Sequence, residues 1–383
     1  MTVDVPLSTL QLRSSAGLYG ADRMVLTLAR ALSGQRVASR LLSINNYRMR
    51  EQSLHDAAHA SGQDAVLLPC HGRFDPRTAR ALAHQLGTDA SSLQVLHAHD
   101  YKSAFYAWLA NRYRKVPMVA TLHGWVEGSR SMRIYNRLEL ALLRRFDAIV
   151  VVAAGQAERL HRAGIARERI HQVDNAIDPP SAADDARAAE VRRELQLADA
   201  GFVFGAVARL SAEKNLGQLL EAFQPLAQAT PQAHLLIVGD GPEREALEAR
   251  CRELSLARQV TFTGNRSDMG RIYPALDCLV LPSLTEGMPL VILEAMARGI
   301  PVVASAVGDV PRLLGHATHA RLVPPGDGAT LATALDQALA FHGRRDASAR
   351  EYALAHHAPS VMADRYIGIY RQLLAGANGH AIH

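Results

Sequence analysis

The stretch SLTEGMPLVILEAMARGIPVVASAVG, residues 283–308, carries two glutamates, Glu286 and Glu294, with seven residues between them. Glu286 lies among turn formers and Glu294 among helix formers. The preceding run, CLVLPS, has the character of a buried strand. Pro289 pre-sets φ for a first helical turn, so PLVILEAMAR is expected to be a helix. That places Glu286 in the loop after a strand and Glu294 about a turn and a half inside the helix. Gly287 permits close backbone approach. The amides of Met288, Leu290 and their neighbours are unpaired donors at a helix start and suit an anion. Upstream, VARLSAEKN offers Arg209 and Lys214 after another strand. A guanidinium fork and an ammonium both suit phosphate oxygens, and together they can neutralise a diphosphate without a metal. A third strand end, LLIVGDGPE, turns through Gly239, Asp240 and Gly241. It resembles a Gly-rich nucleotide turn but lacks the third glycine.

These loops need strands to hold them. Short apolar, β-branched runs alternate with amphipathic stretches along all 383 residues, a length that suits two domains. The runs are STLQLR, RLLSI, AVLLPC, LQVLHA, PMVATLH and AIVVVAA in the first half. In the second they are FVFGAVARL, HLLIVG, VTFTG, CLVLP, PVVASAV and ARLVPP. Strands apolar on both faces and separated by helices predict buried parallel sheets. Such sheets bind ligands beyond the carboxyl ends of their strands. The segment VDNAIDPPSAADDARAAE interrupts the pattern, and Pro179-Pro180 cannot continue an element. The expected domains are residues 1–178 and 186–360, joined by a surface linker or short helix. The fold class is α/β, two doubly wound Rossmann-like domains facing each other across a cleft.

The formal charge of +5 is mild and fits anionic small molecules or a membrane surface as well as nucleic acid. Cys70, Cys251 and Cys278 are scattered, so neither a disulfide framework nor a structural zinc is expected. The first residues lack a basic region followed by an apolar run, and no apolar run reaches 18 residues. A reducing, cytoplasmic setting is expected.

VARLSAEKN, LLIVGDGPE, VTFTG and EGMPLVILEAMARGIPVVAS occur in the order and spacing of the second domain of retaining glycosyltransferases of family 4, which have the GT-B fold. The first half resembles that family more loosely. GLYGADRMVLTLARAL is similar to its N-terminal glycine loop and helix, LHAHD and TLHG to strand ends, and DNAID to its interdomain stretch. YIGIYRQLL resembles the closing helix, about residues 361–375, which in that fold returns to the first domain. Two departures are visible: Tyr19-Gly20 where many members have two glycines, and Ala153 where a serine is common. The resemblance implies transfer of a sugar from a nucleoside diphosphate sugar, UDP- or GDP-linked, with no cofactor and no metal. By matched position Glu294 would accept from the ribose hydroxyls, a diol that suits a carboxylate. Glu286 and the backbone of Gly287, Met288, Pro289 and Leu290 would hold the donor sugar. Arg209 and Lys214 would stabilise the leaving diphosphate. Gly20 would offer an amide, Gly239 and Asp240 would lie along the donor, and Gly264 and Asn265 near the base. His123, which ends a strand before a glycine, would face the donor sugar.

His97 and His99 alternate on a strand and share a face, but no third metal ligand is evident, and His99 and Asp100 are assigned to the acceptor side. No Asp-x-Asp occurs in the chain. The expected acceptor is a glycan or lipid-linked glycan in bacterial surface polysaccharide assembly. GSRSMRIYNRLELALLRRF predicts a basic helix over 130–146 with Arg130, Arg133, Arg137, Arg144 and Arg145. Leu138, Leu142 and Phe146 recur on it at helical spacing, and NRYRKVP adds Arg112, Arg114 and Lys115. Such a helix can dock on anionic lipid at the inner face of the cytoplasmic membrane. No nucleic-acid partner is expected. Two rival functions remain open: a sugar-nucleotide epimerase or hydrolase of the same fold, and a non-catalytic partner in glycan assembly.

Overall fold

The computed structural model describes residues 6–15, 17–47, 52–72, 74–86, 93–123, 130–197 and 200–379. The chain divides into two compact units, Met1–Ala176 with Pro359–His383, and Ile177–Ala358.

Among the described residues the first unit carries seven strands: β1 Leu7–Ser14, β2 Ala38–Ile44, β3 Ala65–Leu68, β4 Leu93–Ala98, β5 Met118–Leu122, β6 Ala148–Val151 and β7 Ile170–Gln172. They form one parallel sheet in the order β3-β2-β1-β4-β5-β6-β7. Chain order reverses between β1 and β4, and β1, β4 and β5 end side by side at the carboxyl end of the sheet, where open α/β sheets hold ligands. Leu12, Leu42, Leu96, Ile149 and Val151 share its core. β7 was not expected, because IHQ is too short and too polar to register as a buried strand. The closing helix, Pro359–Gly379, starts at a proline, and Met362, Ala363, Tyr366, Tyr370 and Leu374 are buried along it at spacings of one to four residues. That stripe fixes which face meets the sheet.

The second unit carries β8 Phe202–Val207, β9 Ala233–Val238, β10 Val260–Phe262, β11 Cys278–Leu281, β12 Val302–Ser305 and β13 Ala320–Val323. Their order is β10-β9-β8-β11-β12-β13, again parallel, with the reversal between β8 and β11. All four residues of β11 and of β12 are buried, as two-sided cover by helices requires. Phe204 and Phe223 meet edge to face inside the core, their centroids 6.0 Å apart. Truncating either to alanine would cost about 3–5 kcal/mol. The acidic-alanine stretch forms two short helices, Ala182–Asp185 and Ala188–Glu194. They belong to the second unit, where Arg192 pairs with Asp277 at 2.6 Å and Arg266 with Glu194 at 2.9 Å. These ion pairs keep the stretch from serving as a free linker.

Candidate active site

The reversal of strand order brings the loops after β8 and β11 together. After β8 the chain makes a 3-10 turn, Ala212–Lys214, and leaves it through Asn215 at φ 54°. The loop after β11 is held on both sides. Leu284 N donates to Glu213 O at 2.8 Å, and Asp309 N donates to Gly287 O at 2.9 Å. Gly308, at φ 53°, lies so close beneath that a Cβ there would sit 2.3 Å from Glu286 O. Any side chain at 308 would therefore push the Glu286 loop out of place. Within this clamp Lys214 Nζ donates to Glu286 Oε1 at 2.6 Å, with side-chain exposures of 21% and 10%. The two charges largely cancel. Arg209 is exposed and forms no ion pair among the described residues. It is the cation of this loop left available to an anion. Ser211 Oγ donates to Glu213 Oε1 at 2.6 Å. That bond, with the nearby Lys214 and Arg209 charges, holds the Glu213 carboxyl below its ordinary value.

Glu294 is the fifth residue of the helix Leu290–Met296 and is half-buried. Tyr273 OH donates to its Oε2 at 2.5 Å. Tyr273 is itself buried, with the Arg298 guanidinium 5.2 Å over its ring. The carboxylate is thus aimed by a hydroxyl that packing fixes. The helix is only seven residues long, so its dipole adds less at Met288 and Leu290 than a full-length helix would.

The GDG turn is built differently from the nucleotide turn it resembles. Gly239, at φ 137°, presses on its own neighbour strand: a Cβ would lie 1.9 Å from Ala208 O. Its amide donates to Gly264 O at 2.9 Å. Backbone-to-backbone packing therefore demands the glycine. Asp240 is exposed, accepts from Gly241 N at 2.7 Å and pairs with Arg244 at 3.5 Å. Asn265 is exposed beside this bridge.

In the first unit, Gly20 opens the helix Gly20–Gly34, and Asp22 accepts from Tyr19 N at 3.0 Å to cap it. The missing cap at Ala153 is replaced by Gln156 Oε1, which accepts from Val152 N and Ala153 N at 3.0 and 3.2 Å. His123 follows β5 and keeps a partly exposed edge. Its Nε2 lies 3.2 Å from His99 Nδ1, and His99 Nε2 lies 2.7 Å from Gln11 Oε1. Burial first, and then the Arg13 guanidinium, lower the His123 pKa to about 3, so the ring is neutral at ordinary pH. Burial keeps His97 and His99 neutral as well. Two expectations change here. His99 is buried with both nitrogens engaged, so it holds His123 and lines no surface. Asp100 caps the helix Tyr101–Ala110 through Ser103 N at 2.9 Å and also accepts from Ser14 N at 2.7 Å. Its oxygens are occupied in binding β1 to β4.

The chain matches two family models, "Glycosyltransferase Family 4" over residues 19–180 and "Glycosyl transferases group 1" over 201–340. The alpha-D-kanosaminyltransferase of Streptomyces kanamyceticus is 30% identical over 300 residues, 73% of this chain and 77% of that one. The chain belongs to the family 4, group 1 glycosyltransferases. The D-inositol 3-phosphate glycosyltransferase of Salinispora tropica is 28% identical across 77% of this chain and 66% of its own. Anabaena HepE, solved with UDP-glucose, superposes with a TM-score of 0.80 at 20% identity, covering 96% of this chain and 100% of HepE. That likeness and the two parallel-sheet units identify the GT-B fold.

Several residues that hold the expected site residues in place within each unit were not legible beforehand. Tyr273, Gly308, Gln11 and Arg13 all act on a residue far along the chain. Only Gln11 and Arg13 left a trace, as large polar residues alternating with the leucines of β1. On the basic helix, Arg130–Leu143, the side chains of Arg130 and Arg133 lie outside the described residues. The helix ends at Leu143, short of the expected 146; Arg137 and Leu138 on it are exposed, Leu138 at 62%, Arg144 and Arg145 just past it are exposed as well, and Phe146 is buried in the core. Phe146 therefore belongs to no apolar surface stripe. Among the described residues no His, Cys, Asp or Glu cluster suits a metal, and no helix is long and apolar enough to cross a membrane.

Proposed function

We propose that the enzyme moves a sugar from a nucleoside diphosphate sugar to an acceptor hydroxyl, with retention of anomeric configuration and without a metal. The observation that carries this is the Glu286–Lys214 pair with Arg209 beside it, held at the carboxyl ends of β11 and β8. Glu286 accepts from hydroxyls of the donor sugar. Arg209 and Lys214 meet the diphosphate as the bond from the anomeric carbon to phosphate oxygen breaks and the electron pair leaves with it. Fixed positive charge at a developing anion is usually the largest single catalytic contribution. Glu294, aimed by Tyr273, accepts from the ribose hydroxyls, and Asn265 lies on the base side. From the first unit the reading takes His123 and the Gly20 amide. The absence of any Asp-x-Asp in the chain supports metal independence. HepE has been solved with UDP and with UDP-glucose, which favours a UDP-sugar over a GDP-sugar as the first donor to try.

The acceptor in this reading is a glycan or lipid-linked glycan of surface polysaccharide assembly. The exposed Arg137, Arg144, Arg145 and Leu138 support peripheral attachment to an anionic leaflet from the cytoplasmic side. The test begins with thermal-shift titration against UDP-, GDP- and ADP-sugars, followed by donor consumption with and without glycan and lipid-linked acceptors. Acceptor-dependent consumption and a product with the donor's anomeric configuration by NMR are expected. Turnover without any acceptor would favour a hydrolase or epimerase, and inversion would refute the retaining assignment.

A further inference from the structure

Behind His123 runs a buried chain of polar groups that ends on the closing helix. Gln11 sits in the middle of β1, wholly buried. Its Nε2 donates to Thr9 Oγ1 at 3.1 Å and to Tyr370 OH at 3.4 Å. Tyr370 OH lies 2.7 Å from His97 Nδ1, His97 Nε2 lies 2.7 Å from Thr121 Oγ1, and Thr121 Oγ1 lies 3.0 Å from Tyr366 OH. On its other side Gln11 turns Oε1 to His99 Nε2, and His99 Nδ1 meets His123 Nε2.

The proton positions follow from the orientation of the Gln11 amide, whose Oε1 meets His99 and whose Nε2 meets Thr9 and Tyr370. An amide oxygen only accepts, so His99 must carry its proton on Nε2. A neutral imidazole has one N–H, which leaves His99 Nδ1 bare. The contact with His123 then requires His123 to donate from Nε2. His123 Nδ1 is left as a lone pair, and no described residue bonds to it. On the far side, Tyr370 OH accepts from Gln11 and donates to His97 Nδ1, so His97 carries its proton on Nε2 and donates to Thr121. Every bond agrees in direction. Turning the Gln11 amide end for end would reverse them all and put the His123 proton on Nδ1. The orientation of one amide, which meets a hydroxyl of the closing helix, therefore decides what His123 offers.

We propose that Gln11, braced by Tyr370, is a positioning residue that sets His123 through His99 as the Nε2–H tautomer, so that His123 presents a neutral hydrogen-bond acceptor at Nδ1. Such an atom selects a hydroxyl and discriminates against a phosphate oxygen, which also only accepts. Resting on the glycosyl-transfer reading, this assigns His123 to a hydroxyl of the donor sugar and not to the diphosphate. Arg13 agrees with it: its Nη1 donates to His99 O at 2.6 Å, and its fixed positive charge opposes protonation of the rings nearby.

The experiment reads tautomers directly. Full-length protein labelled with [15N]histidine is examined by long-range 1H–15N correlation at pH 7.5, with His123 assigned by its loss in His123→Asn. The proposal expects a protonated Nε2 and a bare Nδ1 at His123; a protonated Nδ1 overturns it. In Gln11→Met, and separately in Tyr370→Phe should the first fail to fold, the His123 signal is expected to become a mixture of tautomers. Donor kcat/KM is expected to fall about tenfold with it, the scale of one misdirected hydrogen bond. A folded variant that keeps the wild-type tautomer would overturn the role of Gln11. The tautomer is read without donor or acceptor. An enzyme that bound no nucleotide sugar would therefore refute the functional reading and leave the proton assignment to stand or fall by itself.

Discussion

Glu286→Gln should tighten binding of the free nucleoside diphosphate while it abolishes most turnover. The reasoning starts from the 2.6 Å contact between Lys214 Nζ and Glu286 Oε1. In the unliganded protein the lysine's charge is largely cancelled by a carboxylate that is itself mostly buried. A diphosphate approaching Lys214 must share it with Glu286 and also meets the carboxylate's negative charge. The neutral amide of the variant still accepts from Lys214, but at roughly half the strength of a charged acceptor. A charge-assisted hydrogen bond contributes roughly 1.5–3 kcal/mol. Re-solvation of the loosened ammonium in the unliganded variant takes some of this back. A gain of about 1–2 kcal/mol remains, or about five- to thirtyfold in Kd. Turnover moves the other way, because the amide binds the donor sugar's hydroxyls more weakly than the carboxylate does.

The assay is calorimetric titration of wild type, Glu286→Gln, Lys214→Ala and the double variant with nucleoside, monophosphate and diphosphate. Lys214→Ala should weaken the diphosphate about ten- to hundredfold, since it removes the cation and leaves Glu286 facing the anion. The double variant should recover part of that loss, and nucleoside affinity should change in none of them. An unchanged or weakened diphosphate affinity in Glu286→Gln would mean that the pair does not govern the phosphate site, and the assignment of both residues would fail.

The strands were legible because both faces are apolar: AIVVVAA, CLVLP and PVVASAV can only be buried parallel strands. The strand IHQ was not, since an edge strand of three residues with two polar side chains has no distinguishing pattern. Glu286 and Lys214 could be singled out because each stands in a loop after an apolar run, and Glu294 because it stands early in the helix that follows one. Their partners could not. Lys214 and Glu286 are 72 residues apart, and Tyr273 lies 21 residues before Glu294 in a segment with no motif. His99 shows the same limit. Its alternation with His97 indicates a shared face, but its function depends on Gln11, 88 residues away. Gly239 resembles part of a nucleotide turn in sequence, whereas the space a side chain would take there is filled by Ala208 O. Sequence spacing indicates which side chains reach a strand end, while what they meet there depends on the order of strands in the sheet.

Tyr273→Phe keeps the ring under Arg298 but removes the hydroxyl that aims Glu294; donor KM should rise about three- to tenfold with kcat within about twofold, and steady-state kinetics with an unchanged KM would separate Glu294 from the ribose. Activity should survive excess EDTA, and loss that Mn²⁺ or Mg²⁺ restores would refute metal independence. The first unit should be acid-labile, for a reason visible in its core. His97, His99 and His123 are held neutral when folded, with His123 lowered to about 3 and the other two also well below their ordinary value. In the unfolded chain each would take up a proton below about pH 6.5. The unfolded state then binds more protons, so stability is full above about pH 6.5 and falls as pH drops toward the folded-state values. His123, with a folded value of about 3, forfeits about 1.4 kcal/mol per pH unit over that range, or roughly 2 kcal/mol at pH 5, and His97 and His99 act in the same direction. Even the His123 share is a sizeable part of the roughly 5–15 kcal/mol that keeps a domain folded. Hydrogen exchange followed peptide by peptide between pH 7.5 and 5 should show β1, β4, β5 and the closing helix losing protection before β8 and β11. Equal protection of these strands at both pH values would mean that the three imidazoles are not buried neutral, and it would remove the physical basis for the relay behind His123.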